Sequence, residues 1–246
     1  MTDALPSLAD SALLLDLDGT VLDIAPTPDS VVVPPTLPGD LRRLRDMLGG
    51  AVAVVTGRPV EQVEALLGDA VAVVAGEHGG ALRWAPGAPV ERPTLPEIPA
   101  EWWGDVEEVA AAHPGSLLER KARGFVFHFR AVPEHGPGLQ MAAERLVAPL
   151  AEQFQLLAAH MAWEVRPRGV DKGRAVAALM ARAPFAGRRP VFIGADTTDL
   201  DGMAAARRLG GAGLFVPEAF GSAAAVRAWL GRCAATPPGG AWPQLR

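Results

Sequence analysis

The sequence predicts an α/β fold built on a parallel sheet, into which a smaller α+β unit is inserted. Short apolar strands alternate with helical segments over residues 12–75, as in parallel sheets joined by crossover helices. A proline-rich stretch at residues 84–99 interrupts this alternation, which resumes from Asp171 onward. We therefore expect a split core of residues 1–82 and 163–246, with residues 83–162 forming the inserted domain.

Each core element has its own sequence signal. The strands are continuous apolar runs that are too short for buried helices. Leucines at helical spacing precede Gly49, a suitable helix end, and Asp171 is a suitable N-cap for the helix that follows it. The predicted strands are residues 12–18, 51–55, 71–75, 191–193 and 213–216. The predicted helices are residues 37–48, 59–67, 171–183, 199–209 and 221–229, followed by a Pro/Gly-rich tail that we expect to be loose.

The inserted segment has the pattern of a small antiparallel sheet with two helices. Phe125 and Phe127 alternate with Val126 and His128, as in a strand with one buried face. The predicted helices are residues 98–112 and 139–153, and the predicted strands are residues 117–121, 125–130, 155–159 and 162–166.

Composition excludes several classes of protein. The formal net charge of −5 argues against a general nucleic-acid binder, which usually carries a basic surface. A single cysteine, Cys233, excludes an intramolecular disulfide and suits a reducing compartment. No apolar stretch is long enough to span a bilayer and no signal peptide is evident, so we expect a cytoplasmic protein without a membrane partner.

Asp16 and Asp18 are the most informative residues of the chain. They lie two residues apart at the end of the first apolar strand, where alternation would point both carboxylates to the same side. Two anions that close require a cation or a shared proton, and Mg²⁺ is the natural cation for carboxylate oxygens. One carboxylate can act as a nucleophile while the other moves protons. The alternative is a strand end at which both residues merely cap a turn.

Other polar side chains follow later strands of the predicted sheet. Thr56 and Arg58 follow the second strand, Asp196 and Asp199 follow the strand at residues 191–193, and Lys172 opens a helix. Ligands of open α/β sheets bind beyond the carboxyl ends of the strands, and this set suits phosphoryl transfer. The alternatives are a hydroxyl that satisfies a strand end at position 56 and a solvated lysine at position 172.

The chain resembles the haloacid dehalogenase superfamily and, within it, the trehalose-6-phosphate phosphatases. Residues 16–20 (Asp-Leu-Asp-Gly-Thr), 56–58 (Thr-Gly-Arg) and 172–173 (Lys-Gly) match the first three superfamily motifs. The narrower resemblance rests on residues 76–79 (Gly-Glu-His-Gly), 119–130 and 164–173. It implies a Rossmann-like core with an inserted C2-type cap that recognises the substrate.

The resemblance implies a hydrolysis in two steps. Asp16 would attack phosphorus to form an aspartyl-phosphate, and Asp18 would protonate the leaving sugar oxygen and then activate water. Thr56 and Lys172 would bind the phosphoryl oxygens. The implied ligands of Mg²⁺ are Asp16, Asp18 through its backbone carbonyl, Asp196 and Asp199.

The resemblance also implies a set of substrate contacts. Glu119, Lys121, Arg130 and Glu164 match cap positions that contact the disaccharide, and carboxylates and ammonium groups suit sugar hydroxyls. Two further residues, Arg58 and His78, would line the mouth of the substrate-binding site. The alternative for the cap residues is an ordinary charged hairpin face, and for His78 and His128 a packing role.

One position departs from the family pattern. The fourth motif usually begins Gly-Asp-Asp, but here Ala195 stands between Gly194 and Asp196. Asp196 could replace the missing carboxylate, water could fill its place, or catalysis could be crippled.

The leading hypothesis from the motifs as a whole is Mg²⁺-dependent hydrolysis of trehalose 6-phosphate, with a trehalose-6-phosphate synthase of the same pathway as a partner. The alternatives are a phosphatase of another sugar phosphate and a weakly catalytic or non-catalytic regulator.

Overall fold

A computed structural model describes residues 4–27, 30–237 and 240–245, and the chain divides into two compact units. The first unit contains the residues up to Arg92 and those from Asp171 onward, and the second contains Pro93–Val170. Within the described residues, no helix is both long enough and apolar enough to cross a membrane.

The first unit is built around a six-stranded sheet. Its strands are β1 (Ser11–Leu15), β2 (Val52–Val55), β3 (Val73–Gly76), β4 (Ala81–Arg83), β9 (Arg189–Gly194) and β10 (Ala212–Phe215). In the order β10-β9-β1-β2-β3-β4, neighbouring pairs are parallel except for β3 and β4. The apolar runs predicted as strands are buried throughout β1, β2 and β3, as expected of parallel strands that are covered on both faces.

Helices cover this sheet, and some begin directly after a residue whose side chain caps the helix. The helices of the first unit are α1 (Leu37–Met47), α2 (Val60–Leu67), α5 (Lys172–Met180), α6 (Asp199–Arg208), α7 (Val216–Ala219) and α8 (Ala223–Ala234). The predicted N-cap is confirmed, because the Asp171 carboxylate accepts a hydrogen bond from the Arg174 N–H at 2.7 Å. Ser222 caps α8 in the same way, accepting from the Ala225 N–H at 3.2 Å.

The second unit is an antiparallel sheet with helices on one face. Its strands β5 (Leu117–Lys121), β6 (Gly124–His128), β7 (Phe154–Ala159) and β8 (Ala162–Pro167) pair in the order β5-β6-β8-β7. Helices α3 (Trp102–Ala112) and α4 (Gly136–Val147) contribute Trp102 and Leu139 to a core with Phe125, Phe127 and Phe154. The predicted α/β class with an inserted α+β unit is therefore confirmed.

The chain passes from one unit to the other at different residues from those that the sequence suggested. The predicted boundaries fell at residues 82/83 and 162/163, whereas the chain changes unit after Arg92 and after Val170. Strand β8 pairs with β6 and β7, so its residues belong to the inserted sheet. Residues 83–92 stay with the core because Leu82 and Glu91 exchange backbone hydrogen bonds of 2.8 and 2.7 Å.

Two local predictions are wrong. Strand β1 ends at Leu15 rather than at residue 18, because the chain turns after Asp16 and Gly19 adopts a φ of 77°. The tail is not loose over its described residues 240–245, since the Trp242 ring stacks on Trp229 at 5.2 Å between centroids and its indole N–H donates to the Pro6 carbonyl at 3.0 Å.

Candidate active site

A buried cluster of charged side chains lies at the carboxyl edge of the core sheet. The Lys172 Nζ donates to Asp16 Oδ1 at 2.7 Å and to Asp199 Oδ1 at 2.6 Å. Asp16 directly follows β1, while Lys172 and Asp199 are the first residues of α5 and α6. All three are at least nine-tenths buried. The structure thus brings together three of the residues that the sequence nominated.

The two carboxylates of this cluster are held in different ways. Asp16 Oδ2 accepts from the Thr20 hydroxyl at 2.8 Å, and Asp199 Oδ2 accepts from the N–H groups of Ala195 (2.8 Å) and Asp196 (3.0 Å). Sequence reasoning did not nominate Thr20, although its place four residues after Asp16 in the first motif was a usable signal.

The close approach of Asp199 to the sheet depends on a glycine. A β-carbon at Gly194, the last residue of β9, would overlap with the Asp199 side chain. Any larger residue at this position would push the carboxylate away from Lys172.

Burial and crowding of negative charge dominate the electrostatics of the cluster. Burial, together with the neighbouring Asp199 and Asp196 carboxylates, raises the pKa of Asp16 to about 8 against the opposing effect of Lys172. Burial alone would lower the pKa of Lys172, but the carboxylates of Asp16, Asp199 and Asp196 raise it above its ordinary value. Lys172 is therefore firmly protonated.

Asp196 remains ionised at the border of the cluster. Burial favours its neutral form, but the Lys172 charge and hydrogen bonds from Thr198 lower the pKa of Asp196 below its ordinary value. The Thr198 N–H and hydroxyl donate to Asp196 Oδ1 at 2.8 and 2.7 Å. Asp196 is thus oriented by a tight local turn rather than by the ammonium group.

The charge of this site fits a hard divalent cation, although its geometry is incomplete. Among the residues that the structure describes, no three acidic, histidine or cysteine side chains are spaced to hold a metal ion. Three carboxylates nevertheless surround one ammonium group, which leaves an excess of negative charge and of the oxygen ligands that Mg²⁺ prefers. Asp199 is committed to Lys172 and two N–H groups, so Asp16 and Asp196 are the carboxylates best placed to bind an ion.

Asp18 does not share the partners of Asp16. The Arg58 guanidinium binds both oxygens of the Asp18 carboxylate, through Nε at 2.7 Å and Nη2 at 2.8 Å. Such a bidentate pair fixes the orientation of the carboxylate. The expectation that both aspartates lie side by side on a strand is therefore corrected: β1 has ended, and the two side chains have separate cationic partners.

The second motif lies beside this pair. The Thr56 hydroxyl is buried and accepts from the Arg58 N–H at 3.2 Å. The His78 side chain, also buried, lies against Gly57, where an added β-carbon would be 2.6 Å from His78 Nε2.

The polar face of the second unit carries the other nominated residues. Alternation along β5, β6 and β8 places Glu119, Lys121, His128 and Glu164 on the face opposite the phenylalanine core. Lys121 Nζ donates to Glu164 at 2.8 Å, and His128 Nε2 lies 2.8 Å from Glu119 Oε2. Arg130 lies in the turn after β6 and is half-buried.

Comparison with solved structures defines the class of fold. The chain is similar to the C-terminal domain of trehalose-6-phosphate phosphatase from C. albicans, with a TM-score of 0.76 and 20% identity over 92% of this chain and 93% of that one. It is also similar to a haloacid dehalogenase-like hydrolase from Bacteroides thetaiotaomicron, with a TM-score of 0.56 and 14% identity over 79% of this chain and 85% of that one. The fold is that of the haloacid dehalogenase-like hydrolases.

Sequence comparison defines the family. The trehalose-phosphatase family model matches residues 14–218. A trehalose-6-phosphate phosphatase from Escherichia coli (strain K12) is 36% identical over 235 residues, which cover 95% of this chain and 85% of that protein. The chain belongs to the trehalose-phosphatase family and is an enzyme of the phosphoric monoester hydrolase class.

Proposed function

We propose that this chain hydrolyses trehalose 6-phosphate to trehalose and phosphate with the help of Mg²⁺. The observation that carries the proposal is the buried cluster of Asp16, Lys172 and Asp199 in a chain of the trehalose-phosphatase family. The E. coli relative is named for the same substrate. A nucleophilic carboxylate beside a fixed ammonium group is suited to the transfer of a phosphoryl group, whose oxygens carry negative charge.

In the proposed reaction an Asp16 oxygen attacks phosphorus and the bond from phosphorus to the sugar oxygen breaks. Asp18 gives a proton, which it takes up from solvent once an Arg58 hydrogen bond has opened, to the leaving sugar oxygen. Asp18 then takes a proton from water, whose oxygen attacks the aspartyl-phosphate, releases phosphate and restores Asp16. Thr56 and Lys172 bind the phosphoryl oxygens. Because Arg58 holds both Asp18 oxygens, at least one of these hydrogen bonds must open before Asp18 can act.

Asp16, Asp196 and the backbone carbonyl of Asp18 would hold Mg²⁺, with Asp199 anchoring Lys172. When bound, the ion would supply positive charge that keeps the Asp16 carboxylate ionised and neutralises the phosphoryl oxygens. Without the ion, burial and the neighbouring carboxylates raise the pKa of Asp16 to about 8. These residues therefore fit a cation by their charge.

We also propose that the polar face of the second unit binds the disaccharide. Lys121 and Glu164 are held by their contact with each other and Glu119 by its contact with His128, and their charged groups suit sugar hydroxyls. Arg130 is a further contact that the family resemblance implies, and Arg58 and His78 are proposed as additional substrate contacts. A trehalose-6-phosphate synthase as partner and a cytoplasmic location are part of the same proposal.

Ala195 supports a second candidate function. The N–H of Ala195 is bonded to Asp199, but its methyl group offers no oxygen to a cation. A chain that binds the cation weakly could bind the sugar phosphate without turnover and act as a regulator. Hydrolysis of a different sugar phosphate is the remaining alternative.

A phosphate-release assay separates these functions. We expect the purified protein, with Mg²⁺ titrated from zero to saturation, to favour trehalose 6-phosphate over glucose 6-phosphate by about 100-fold or more in kcat/KM. Asp16→Asn is the inactive control. Faster hydrolysis of another sugar phosphate would overturn the substrate assignment. Binding of trehalose 6-phosphate without turnover at any Mg²⁺ concentration would favour the regulator.

A further inference from the structure

The turn after β3 has a strained backbone. Glu77 and His78 have φ angles of 51° and 57°, so two consecutive residues with β-carbons occupy the left-handed region. This region is costly for residues other than glycine, and such strain persists only where the surrounding contacts enforce it. The contacts of this turn therefore indicate what it is for.

The backbone of the turn supports the second motif. The Glu77 N–H donates to the Arg58 carbonyl at 3.0 Å, and the His78 N–H donates to the Thr56 carbonyl at 2.8 Å. In this conformation His78 packs directly on Gly57. The turn thus fixes the backbone of the three residues that carry the Thr56 hydroxyl and the Arg58 guanidinium.

An ion pair connects Glu77 in the turn to Arg92, which lies outside the turn. Arg92 Nη1 donates to Glu77 Oε1 at 2.8 Å, and the side chains are 26% and 8% exposed. Because the Glu77 carboxylate is almost fully buried, losing its partner would leave a poorly solvated charge beside the strained backbone. Arg92 is also the last residue of the first unit before Pro93 opens the second.

We propose that Arg92 is a positioning residue for the phosphoryl site, acting through Glu77 on the backbone of Thr56 and Arg58. The inference rests on the proposed function insofar as Thr56 and Arg58 serve a phosphate ester. It adds two residues, Glu77 and Arg92, to which the phosphatase reaction itself gives no role. Neither residue touches the reacting atoms in this scheme.

The same segment provides a matched control. Glu91, adjacent to Arg92, accepts from Arg182 Nη1 at 2.8 Å and from the Trp84 indole N–H at 3.1 Å. Arg182 also lies over the Trp84 ring, 4.1 Å from its centroid. Glu91→Gln therefore weakens an ion pair of the same segment without touching the turn at residues 76–79.

The test compares Arg92→Met, Arg92→Lys, Glu77→Gln, the double variant Glu77→Gln/Arg92→Met and Glu91→Gln. For Arg92→Met we expect the inhibition constant of inorganic phosphate and the KM of the phosphate ester each to rise about tenfold, with a smaller change in kcat. Arg92→Lys, which keeps the charge, should recover most of this loss. The double variant should lose no more than the worse single variant, because both act through one contact.

A spectroscopic measurement separates positioning from general destabilisation. The chain has five histidines, and the imidazole resonances of His78 should shift in Arg92→Met while those of His113 stay in place. Glu91→Gln should leave the resonances of His78 and the phosphate inhibition constant unchanged. Wild-type phosphate inhibition in Arg92→Met, or an equal loss in Glu91→Gln, would overturn the inference.

Failure of the proposed function would look different. Wild-type protein that releases no phosphate from trehalose 6-phosphate would overturn that substrate. The effect of Arg92→Met can still be measured in that case. The melting temperatures of the variant and of the wild type are compared as the concentration of inorganic phosphate is raised. An unchanged phosphate dependence there would count against the role of Arg92 alone.

Discussion

Lys172 is the residue on which the charge cluster depends. Its ammonium group is the shared partner of two buried carboxylates, Asp16 and Asp199. A lysine in the first turn of a helix opposes the helix dipole, so local structure alone would disfavour it. The neighbouring carboxylates supply the compensating interaction, which is visible only in the folded chain.

Replacing Lys172 should destabilise the protein in a pH-dependent way. We expect Lys172→Met to lower the free energy of unfolding by about 3–5 kcal/mol at pH 8, because two buried carboxylates lose their partner. The pKa of Asp16 is already raised to about 8, so its contribution to stability is greatest below the ordinary Asp value and is lost as the pH rises towards 8. Without Lys172 the pKa of Asp16 should rise further, so this loss of stability should extend to higher pH.

Urea unfolding at pH 5 and pH 8 measures this difference, and the loss should be clearly smaller at pH 5. Arg174→Met is the matched control, because Arg174 lies in the same helical turn with a side chain that is 72% exposed. We expect it to change the free energy of unfolding by less than about 0.5 kcal/mol. An equal loss for Lys172→Met at both pH values would contradict the account of the cluster.

Restoring the carboxylate at position 195 should strengthen cation binding. A β-carbon built on Gly19 would lie 3.3 Å from that of Ala195, so this side chain faces the turn that follows Asp18. We expect Ala195→Asp to lower the Kd for Mg²⁺ by about tenfold, as an added carboxylate oxygen does at a hard-cation site. Isothermal titration calorimetry measures the Kd for Mg²⁺, with Ala195→Asn as the uncharged control. Equal Mg²⁺ affinities for wild type and Ala195→Asp would show that the absence of a carboxylate at position 195 does not weaken cation binding.

The hairpin of β5 and β6 is the element that carries most of the polar face in the second unit. Alternation predicted from the sequence that Glu119 and Lys121 share a face, and the strand register places both there. The cross-strand contact of Glu119 with His128 was not predicted, because sequence reasoning treated His128 as a packing residue. A diagonal contact between two strands depends on the turn that sets their register.

The Glu119–His128 contact should stabilise this hairpin at neutral pH and lose its effect in acid. Burial alone would raise the pKa of Glu119, but the hydrogen bond to His128 and the Lys121 charge hold it below its ordinary value. A lowered carboxyl pKa gives stability that is present above the unfolded-state value and is lost as the pH falls through the folded-state value. We therefore expect Glu119→Gln to weaken the hairpin at pH 6 by about 1 kcal/mol, with the difference closing below about pH 4.

Hydrogen exchange of the β5 and β6 amides reports this difference locally. Glu107→Gln is the control, since Glu107 forms an exposed ion pair with Arg120 in the same unit. A stability difference between wild type and Glu119→Gln that persists unchanged at pH 3 would show that the ionised contact is not its source.

At the scale of the whole molecule, the two ends of the described chain are joined. Trp242 stacks on Trp229 of α8, and the Trp229 indole N–H donates to the Pro243 carbonyl at 3.0 Å. The Trp242 N–H donates to the Pro6 carbonyl. Prolines and glycines predicted a loose tail, but aromatic stacking on a buried helix outweighs the entropy of fixing a short segment.

Trp242→Ala should therefore destabilise the first unit. We expect the free energy of unfolding to fall by about 2 kcal/mol, since ring stacking and a hydrogen bond are both removed. Urea unfolding followed by circular dichroism measures the change, and Leu209→Ala, at a residue that is 44% exposed, should have little effect. Wild-type stability in Trp242→Ala would mean that the tail contact adds nothing to the fold.

The sequence by itself determined the α/β class, most core strands and the identity of the charged residues at the site. Apolar runs and caps act over a few neighbouring residues, so the primary structure displays them directly. The boundaries of the inserted unit were less accessible, because β8 continues past the predicted boundary at residue 162 and only its pairing with β6 and β7 places all of it in that unit.

The partners of the charged residues were decided by tertiary structure alone. Lys172 lies 156 residues from Asp16 and 27 from Asp199, and the three converge because β1 lies between β2 and β9 in the sheet. The tertiary structure likewise pairs Asp18 with Arg58 and Glu77 with Arg92. Sequence determines which charges are available, but strand order and burial determine which of them must neutralise one another, because an unpaired charge is tolerated in water and not in the core.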